Sequence, residues 1–182
     1  MKFVKKLIKF ILQLIKKTSI PFYIFSYFKD CYYDYRYQKI RKNYNISDDF
    51  KFNGIDIEFY GEGIIEIGKK SYIGNRSVLQ VCSNCKIQIG NNCAISHNVR
   101  IYTSNRFSED IISNKKNIRY KKGDVIIGNN CWIGANVFIT EGTKIGNNVV
   151  IGANSIVTKD IESNTLVGGV PAKIIRHRRI FE

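Results

Sequence analysis

A six-residue period constrains the fold of this chain more than any other feature of the sequence. Between Val125 and Ile161 an aliphatic residue recurs at every sixth position, and Gly follows it four times. The aliphatic positions are Ile127, Ile133, Ile139, Ile145, Ile151 and Val157. A period of six matches neither the 3.6 residues of a helical turn nor the two-residue alternation of a strand. It is typical of a parallel β-helix, in which each repeat forms one short strand and one turn.

The same period predicts which side chains fill the interior. The aliphatic residue points inward on every side of a triangular coil, and a small or apolar residue four positions later fits beside a corner. Gly and Asn supply the backbone conformations that sharp corners need. The phase also appears upstream, at Ile67, Ile73, Leu79, Ile89, Ile95 and Ile101. Stacked coils bury all of these residues in one column.

Two stretches depart from the period. Between Ile101 and Ile127 the phase breaks, and residues 104–124 are polar and charged, which predicts a loop extruded from the coil. Loops on rigid scaffolds often carry function. Residues 46–62 look like a lead-in, where the alternation of Phe52, Ile55, Ile57 and Phe59 predicts one strand.

Residues 63–176 resemble the hexapeptide-repeat acyltransferases. The segment Ile151–Ile161, followed by Val167–Lys173, is very similar to the end of the sugar O-acetyltransferase branch of that family. The resemblance implies a mainly β fold, a left-handed parallel β-helix to which this chain adds an N-terminal helical segment and one extruded loop. It also implies acetyl-CoA as co-substrate, no metal, and a homotrimer.

The predicted organisation has three parts. Residues 1–45 form a basic, aromatic helical segment, residues 46–176 the β-helix domain with its loop, and residues 177–182 a tail. The formal charge of the chain is +14, and residues 1–45 hold eleven Lys or Arg against two Asp. Such a segment attracts anionic partners. A nucleic-acid partner is disfavoured, because the basic excess lies at one end of an enzyme-like coil.

The basic segment itself reads as two helices. Residues 2–17 place most of their lysines on one stripe of an amphipathic helix. This helix is too short to span a bilayer, and its apolar residues are too often interrupted by lysines. This helix either lies on an anionic membrane surface or packs on the β-helix or another subunit. Residues 18–45 carry nine Phe or Tyr between Phe22 and Tyr37, which favours a second helix packed by its aromatic side chains.

The cysteines favour a reducing compartment. There are five, an odd number without the spacing of a disulfide framework. Cys93 and Cys131 occupy interior positions, and the lone pair Cys82-x-x-Cys85 is weak evidence for zinc, so strand and turn roles are preferred. The predicted location is cytoplasmic, with a peripheral position on the inner face of the membrane left open.

His97 is the candidate catalytic residue. Acyl transfer to a hydroxyl requires removal of its proton, and His is the usual base at neutral pH. His97 lies at an outward corner in Ile95-Ser96-His97-Asn98-Val99, which is similar to the Ile-Gly-His-Asn-Val type motif of acyltransferases of lipid A synthesis. The other histidine, His177, stands in a basic terminal run and reads as a tail residue.

The sequence departs from the family at a second motif. Maltose- and galactoside-acetyltransferase relatives carry a catalytic His in a Thr-x-x-His pattern, which here reads Thr103-Ser104-Asn105-Arg106. Arg106 stays protonated and is no base. Either His97 takes this role, or the acceptor brings its own basicity, or the protein does not catalyse. Asn98, Asn105 and Arg106 are the predicted acceptor-binding residues.

The resemblance also implies where acetyl-CoA binds. In this family the donor lies in the groove between neighbouring prisms, and the matching positions here are Trp132, Ala135, Ala153, Thr158, Lys159 and Arg176. The two cations suit the anionic nucleotide end of the donor. The alanines allow close approach to the backbone, and an outward Trp132 borders the acetyl end.

The predicted function is acetyl-CoA-dependent O-acetylation of a sugar hydroxyl, on a surface polysaccharide or its precursor. Two alternatives stay open. One is N-acetylation of a nucleotide-linked amino sugar, to which the Asn105-Arg106 pair is faintly similar. The other is a non-catalytic β-helical scaffold.

Overall fold

The computed structural model describes residues 2–16 and 18–177, which divide into two compact units, Met1–Ile40 and Arg41–Glu182. The basic segment forms the helices α1 (Lys2–Lys16) and α2 (Ile20–Asn43), as predicted. Within the described part of the chain, no helix combines the length and the apolarity needed to cross a membrane.

The second unit is a parallel β-helix of about five coils, which confirms the prediction from the six-residue period. Each coil gives one strand to each of three parallel sheets, here called A, B and C. Coils one and two comprise β1 (Asn45–Ile46), β2 (Lys51–Asn53), β3 (Glu58–Gly61), β4 (Ile64–Ile67), β5 (Tyr72–Gly74) and β6 (Val78–Val81). Coil three comprises β7 (Lys86–Ile89), β8 (Ala94–Ile95) and β9 (Arg100–Tyr102).

The extruded loop follows coil three and has structure of its own. It contains β10 (Ser104–Arg106), α3 (Ser108–Ile112) and β11 (Tyr120–Lys122), with β10 and β11 antiparallel. Residues 104–122 are called the arm below. The chain re-enters the coil where the hexapeptide phase resumes, so the insertion leaves the stacking intact.

The last coils complete the prism. Coils four and five comprise β12 (Val125–Ile127), β13 (Trp132–Ile133), β14 (Phe138–Ile139), β15 (Lys144–Ile145), β16 (Val150–Ile151) and β17 (Ile156–Val157). The strands β18 (Thr165–Gly168) and β19 (Lys173–His177) then pair antiparallel at the end of sheet B.

The register between coils explains why the period persists. In sheet B, Ile73 pairs with Ile95, Ile95 with Ile133, and Ile133 with Ile151, and each of these side chains is at most 1% exposed. The small residues four positions after each aliphatic, from Cys131 to Ile161, are buried as well. The interior is therefore one continuous apolar column.

Stacked asparagines hold the corners. Asn98, Asn136 and Asn154 occupy one corner in three successive coils, all with φ between 56° and 60°. Their side-chain amides donate from coil to coil, from Asn98 to Asn136 at 2.8 Å and from Asn136 to Asn154 at 2.9 Å. Asn is among the few L-residues that visit this left-handed region readily, which explains its recurrence at the corners.

The prediction of a single lead-in strand in residues 46–62 is wrong. Gly54, with φ of +141°, turns the chain between Phe52 and Ile57, so the stretch wraps around the prism. Phe52 pairs with Ile73 in sheet B and Phe59 with Leu79 in sheet C. The stretch thus completes a first coil with irregular spacing, instead of one extended strand.

Candidate functional site

One group of the predicted site residues lies at the corner between sheets B and C. His97 lies in the turn between β8 and β9, and Ala135 and Ala153 hold the same corner position in the next two coils. Asn98 is the next residue along and belongs to the stacked amides. A concave surface encloses an open pocket of about 450 Å³ here. It is lined by Ile55, Asn75, Arg76, His97, Asn98 and Asn136.

His97 takes the place of an asparagine in a second series of corner hydrogen bonds. Between sheets A and B, the backbone N–H of Lys69 donates to Asn91 Oδ1 at 2.7 Å, and each following coil repeats the contact. At the corner between sheets B and C, the backbone N–H of Asn75 donates to His97 Nδ1 at 3.1 Å. The imidazole therefore supports the corner as well as facing solvent.

This hydrogen bond has a chemical consequence. A neutral imidazole has one donor and one acceptor nitrogen. Because Nδ1 accepts from Asn75, a neutral His97 ring carries its proton on Nε2, which is then a donor. To accept a substrate proton, the ring must exchange this tautomer and release Asn75.

Asn105 and Arg106 lie at the other end of sheet C, where the arm leaves the coil. Both belong to β10, and Asn105 Nδ2 donates to the carboxylate of Glu141. Glu141 is 7% exposed, and its other oxygen lies 3.1 Å from Lys121 Nζ, in the returning strand of the arm. This buried carboxylate thus ties both strands of the arm to the fourth coil.

Glu141 is not among the site residues predicted from the sequence. It holds the third hexad position, which in the neighbouring repeats is Asn129, Ala135, Asn147, Ala153 and Lys159. Glu141 is the one acidic residue in this set, and this difference was the sequence signal that could have identified it. Its partners are 36 and 20 positions away along the chain, so the contact itself was not predictable from spacing.

The predicted donor-binding residues fall in three places. Ala135 and Ala153 share the His97 corner, whereas Thr158 and Lys159 lie one coil above Glu141, at the far end of sheet C. Trp132, 56% exposed, and Arg176 lie in one outward row of sheet B that also holds Val150 and Leu166. Three strand spacings separate Trp132 from Arg176, or about 14 Å.

The arm has a charged centre. Asp110 is 0% exposed, and its carboxylate accepts from Arg119 Nε and Nη2, both at 2.8 Å, and from Lys115 Nζ at 2.7 Å. The Arg119 guanidinium stacks on Phe107 at 4.8 Å. Hydrogen bonds from Arg119 first, and then from Lys115, hold the pKa of Asp110 well below its usual range.

Comparison with known proteins decides the family. A family model described as bacterial transferase hexapeptide (six repeats) matches residues 124–159. The solved maltose O-acetyltransferase of Clostridium difficile 630 is 36% identical, with a TM-score of 0.57, and the match covers 72% of each chain. The chain belongs to the hexapeptide-repeat acyltransferase family. The left-handed β-helix predicted for it is confirmed.

Two other relatives of this hexapeptide-repeat protein bear on its chemistry. An acetyltransferase of Vibrio cholerae O1 biovar eltor, solved in complex with acetyl coenzyme A, is 27% identical with a TM-score of 0.66, covering 81% of this chain and 78% of that one. The polysialic acid O-acetyltransferase of Escherichia coli O1:K1 / APEC is 39% identical over 145 residues, 80% of this chain and 44% of the relative. The chain spans about half the length of the curated relatives it matches.

Metal ligation has no candidate in residues 2–16 and 18–177. No group of three or more His, Cys, Asp or Glu side chains in these ranges is arranged to hold a metal ion.

The charged centre of the arm gives a first prediction for this hexapeptide-repeat protein. Replacing Asp110→Asn removes the charge that Arg119 and Lys115 share, so we expect amide hydrogen exchange in residues 104–122 to accelerate by about tenfold or more. The matched control is Glu109→Gln, the same chemical change at an exposed position of α3. Equal exchange rates in the two variants would contradict this role of Asp110.

The same contacts set a pH dependence. Because the pKa of Asp110 is lowered in the folded arm, its contribution is present above the unfolded value, about 3.9, and is lost as pH falls through the folded value. We therefore expect the exchange protection of the arm, corrected for intrinsic rates, to stay constant from about pH 8 to pH 5. Loss of protection within that window would contradict the assignment.

Proposed function

We propose that this protein is an acetyl-CoA-dependent O-acetyltransferase that acts on a sugar hydroxyl of a surface polysaccharide or its precursor. The observation that carries the proposal is the corner where His97 stands beside the alanines of the next two coils. Support for the substrate classes comes from relatives named for maltose and polysialic acid O-acetylation. An exposed imidazole next to an open corner suits a reaction that moves one proton.

His97 is the proposed catalytic residue. His97 is exposed and lines the concave surface, so we expect an acceptor hydroxyl bound there to contact the imidazole. In the tautomer that releases Asn75, Nε2 accepts the hydroxyl proton as the new ester bond forms, and the imidazolium returns that proton to the leaving thiolate. Asn98, in the same corner, is the proposed hydrogen-bonding partner of the acceptor sugar.

The residues at the corner fit a thioester donor. Acetyl-CoA supplies the activated acetyl group when it is bound. Ala135 and Ala153 present only methyl groups above His97, so a pantetheine chain can approach the backbone. Lys159 and Arg176 are exposed cations suited to phosphate, and exposed Trp132, in the same row of sheet B as Arg176, offers an apolar surface. Thr158, next to Lys159, completes the proposed donor set.

A homotrimer is part of the proposal. His97 and Asn105 lie at opposite ends of sheet C, separated by eight residues of chain that span at most about 26 Å when extended. Arg106 stands beside Asn105 on the arm, so both predicted acceptor-binding residues of the arm are remote from His97 within one protomer. We infer that the arm of one subunit completes the corner of another.

Thiol release from acetyl-CoA tests the activity directly. The protein is incubated with oligosaccharides, free sugars and nucleotide-linked amino sugars, and free coenzyme A is measured. We expect release that depends on an acceptor hydroxyl. Release with amino acceptors alone would replace O-acetylation by N-acetylation, and no release with any acceptor would favour a non-catalytic scaffold.

A matched pair of variants separates catalysis by His97 from support of the corner. His97→Asn keeps an acceptor for the Asn75 N–H, as Asn91 does for Lys69, whereas His97→Ala removes both the acceptor and the imidazole. We expect both to lower kcat by about 10²- to 10⁴-fold, the usual effect of losing a general base. Only the alanine variant should also lower the unfolding midpoint. Wild-type turnover in His97→Asn would show that the imidazole is structural.

We further propose that α1 binds an anionic membrane surface on the cytoplasmic side. Ile8, Phe10, Ile11 and Leu12 are all at least 45% exposed, and Lys6 and Lys9 are exposed in the same helix. Apolar side chains with interleaved lysines suit the headgroup region of an anionic bilayer. A peripheral position would hold the enzyme near a membrane-linked acceptor.

Vesicle binding tests this location. Each lysine near an anionic surface contributes about 1 kcal/mol, so Lys6→Gln with Lys9→Gln should weaken binding to phosphatidylglycerol vesicles by roughly 30-fold. The matched control is Lys69→Gln with Lys116→Gln, two exposed lysines of the second unit. Equal losses in both double variants would indicate only general charge attraction and would contradict a role for α1.

A further inference from the structure

Cys82 and Cys85 face each other across a tight turn between β6 and β7. Their Sγ atoms are 3.0 Å apart, and both thiols are free. The backbone N–H of Cys85 donates to the Cys82 carbonyl at 3.1 Å, and Asn84 has φ of 62°, as the third residue of a type II turn requires. The ends of a β-turn lie less than 7 Å apart, within the Cα separation that a disulfide spans.

The turn lies against Thr103 and Gly123, the two residues that flank the arm and are here called its neck. The Cys82 backbone N–H donates to Thr103 Oγ1 at 2.8 Å, and the Cys82 thiol donates to the Thr103 carbonyl at 3.6 Å. The same carbonyl accepts from the N–H of Gly123 at 3.0 Å. Thr103 and Gly123 flank the arm, so one carbonyl joins its two ends and also receives the Cys82 thiol.

The two thiols differ in environment. Cys82 is half-buried and Cys85 is buried. Burial alone would raise the pKa of Cys82, but hydrogen bonds with Cys85 and Thr103, together with the charge of Lys122, lower it. Burial first, and then the neighbouring Cys82, raise the pKa of Cys85 to about 11. Cys82 is thus the thiol suited to attack, and Cys85 the one suited to resolve.

We propose that Cys82 and Cys85 form a reversible dithiol–disulfide site that low-molecular-weight disulfides oxidise. The Cys82 thiolate attacks the external disulfide, forms a mixed disulfide and releases one thiolate. That thiolate takes the proton of Cys85, whose sulfur then attacks Cys82 Sγ, breaks the mixed disulfide and releases a second thiolate. The second thiolate takes up from solvent the proton that Cys82 gave up on ionising. The protein dithiol loses two protons and two electrons, and the external disulfide takes them up to become two thiols.

Oxidation changes the neck of the arm. The disulfide removes the S–H donor from the Thr103 carbonyl and draws Cys82 Sγ toward Cys85, to a bond length of about 2.05 Å. The neck then keeps only the Gly123 hydrogen bond at that carbonyl. The arm carries Asn105 and Arg106, so the oxidation state of the turn alters the segment that the proposed function assigns to the acceptor.

Thiol mapping after treatment with oxidised glutathione tests the proposal. The background is Cys31→Ser, because Cys31 is exposed in the first unit, whereas Cys93 and Cys131 are buried. We expect peptides containing Cys82 and Cys85 to lose two hydrogen atoms and all alkylation, with full recovery in dithiothreitol. Amide exchange at the neck, around Thr103 and Gly123, should accelerate severalfold in the oxidised protein.

The matched variants make the result decisive. Cys85→Ser should trap glutathione on Cys82, whereas Cys82→Ser should leave Cys85 unmodified, because Cys85 is buried. Both cysteines remaining alkylatable, or a stable mixed disulfide in the parent protein, would overturn the dithiol site. A disulfide that leaves exchange at the neck unchanged would overturn its link to the arm. None of these readouts needs an acceptor or turnover, so they are independent of the proposed function.

Discussion

The stacking of coils, each burying its neighbour's aliphatic residues, is the constraint on which this structure depends. No hexapeptide buries its own Ile, so the interior column exists only because successive coils keep the same phase. Burying each such side chain contributes about 1.5–3 kcal/mol relative to exposure. The corners obey the same rule, because their asparagine amides find hydrogen-bond partners only in adjacent coils. A side chain at a corner is consequently held at a defined height and direction, which is what a catalytic position needs.

The period alone was enough to predict the β-helix, its inward residues, the outward Trp132 and the extruded loop. It failed for residues 46–62, because Phe52 and Phe59 are seven positions apart and Gly54 turns the chain between them. Local alternation in that stretch looks the same for one long strand as for short strands on different sides of a prism. Only the pairing with the second coil distinguishes the two arrangements.

At the candidate site, the positions of side chains on the coil were predictable from the sequence, whereas their contacts were not. The outward placement of His97 follows from the hexapeptide phase, whereas the bond from Asn75 to its Nδ1 depends on a contact 22 residues away. The burial of the Glu141 and Asp110 carboxylates was not predicted either. Acidic residues in polar stretches usually indicate solvent exposure, and here contacts from distant residues or within the arm cover them. The sequence of one hexapeptide therefore does not reveal the hydrogen bonds and ion pairs that its side chains make with adjoining coils and with the arm.

The proposed O-acetyltransferase forms an acetyl ester on a sugar, and the stability of the product bond tests this activity most directly. An oligosaccharide acceptor is treated with the protein and isotopically labelled acetyl-CoA, and the product is analysed by mass spectrometry before and after mild alkali. We expect one labelled acetyl group that appears only with active protein and is removed by alkali, as esters are. A label that survives alkali would be an amide, and would contradict O-acetylation.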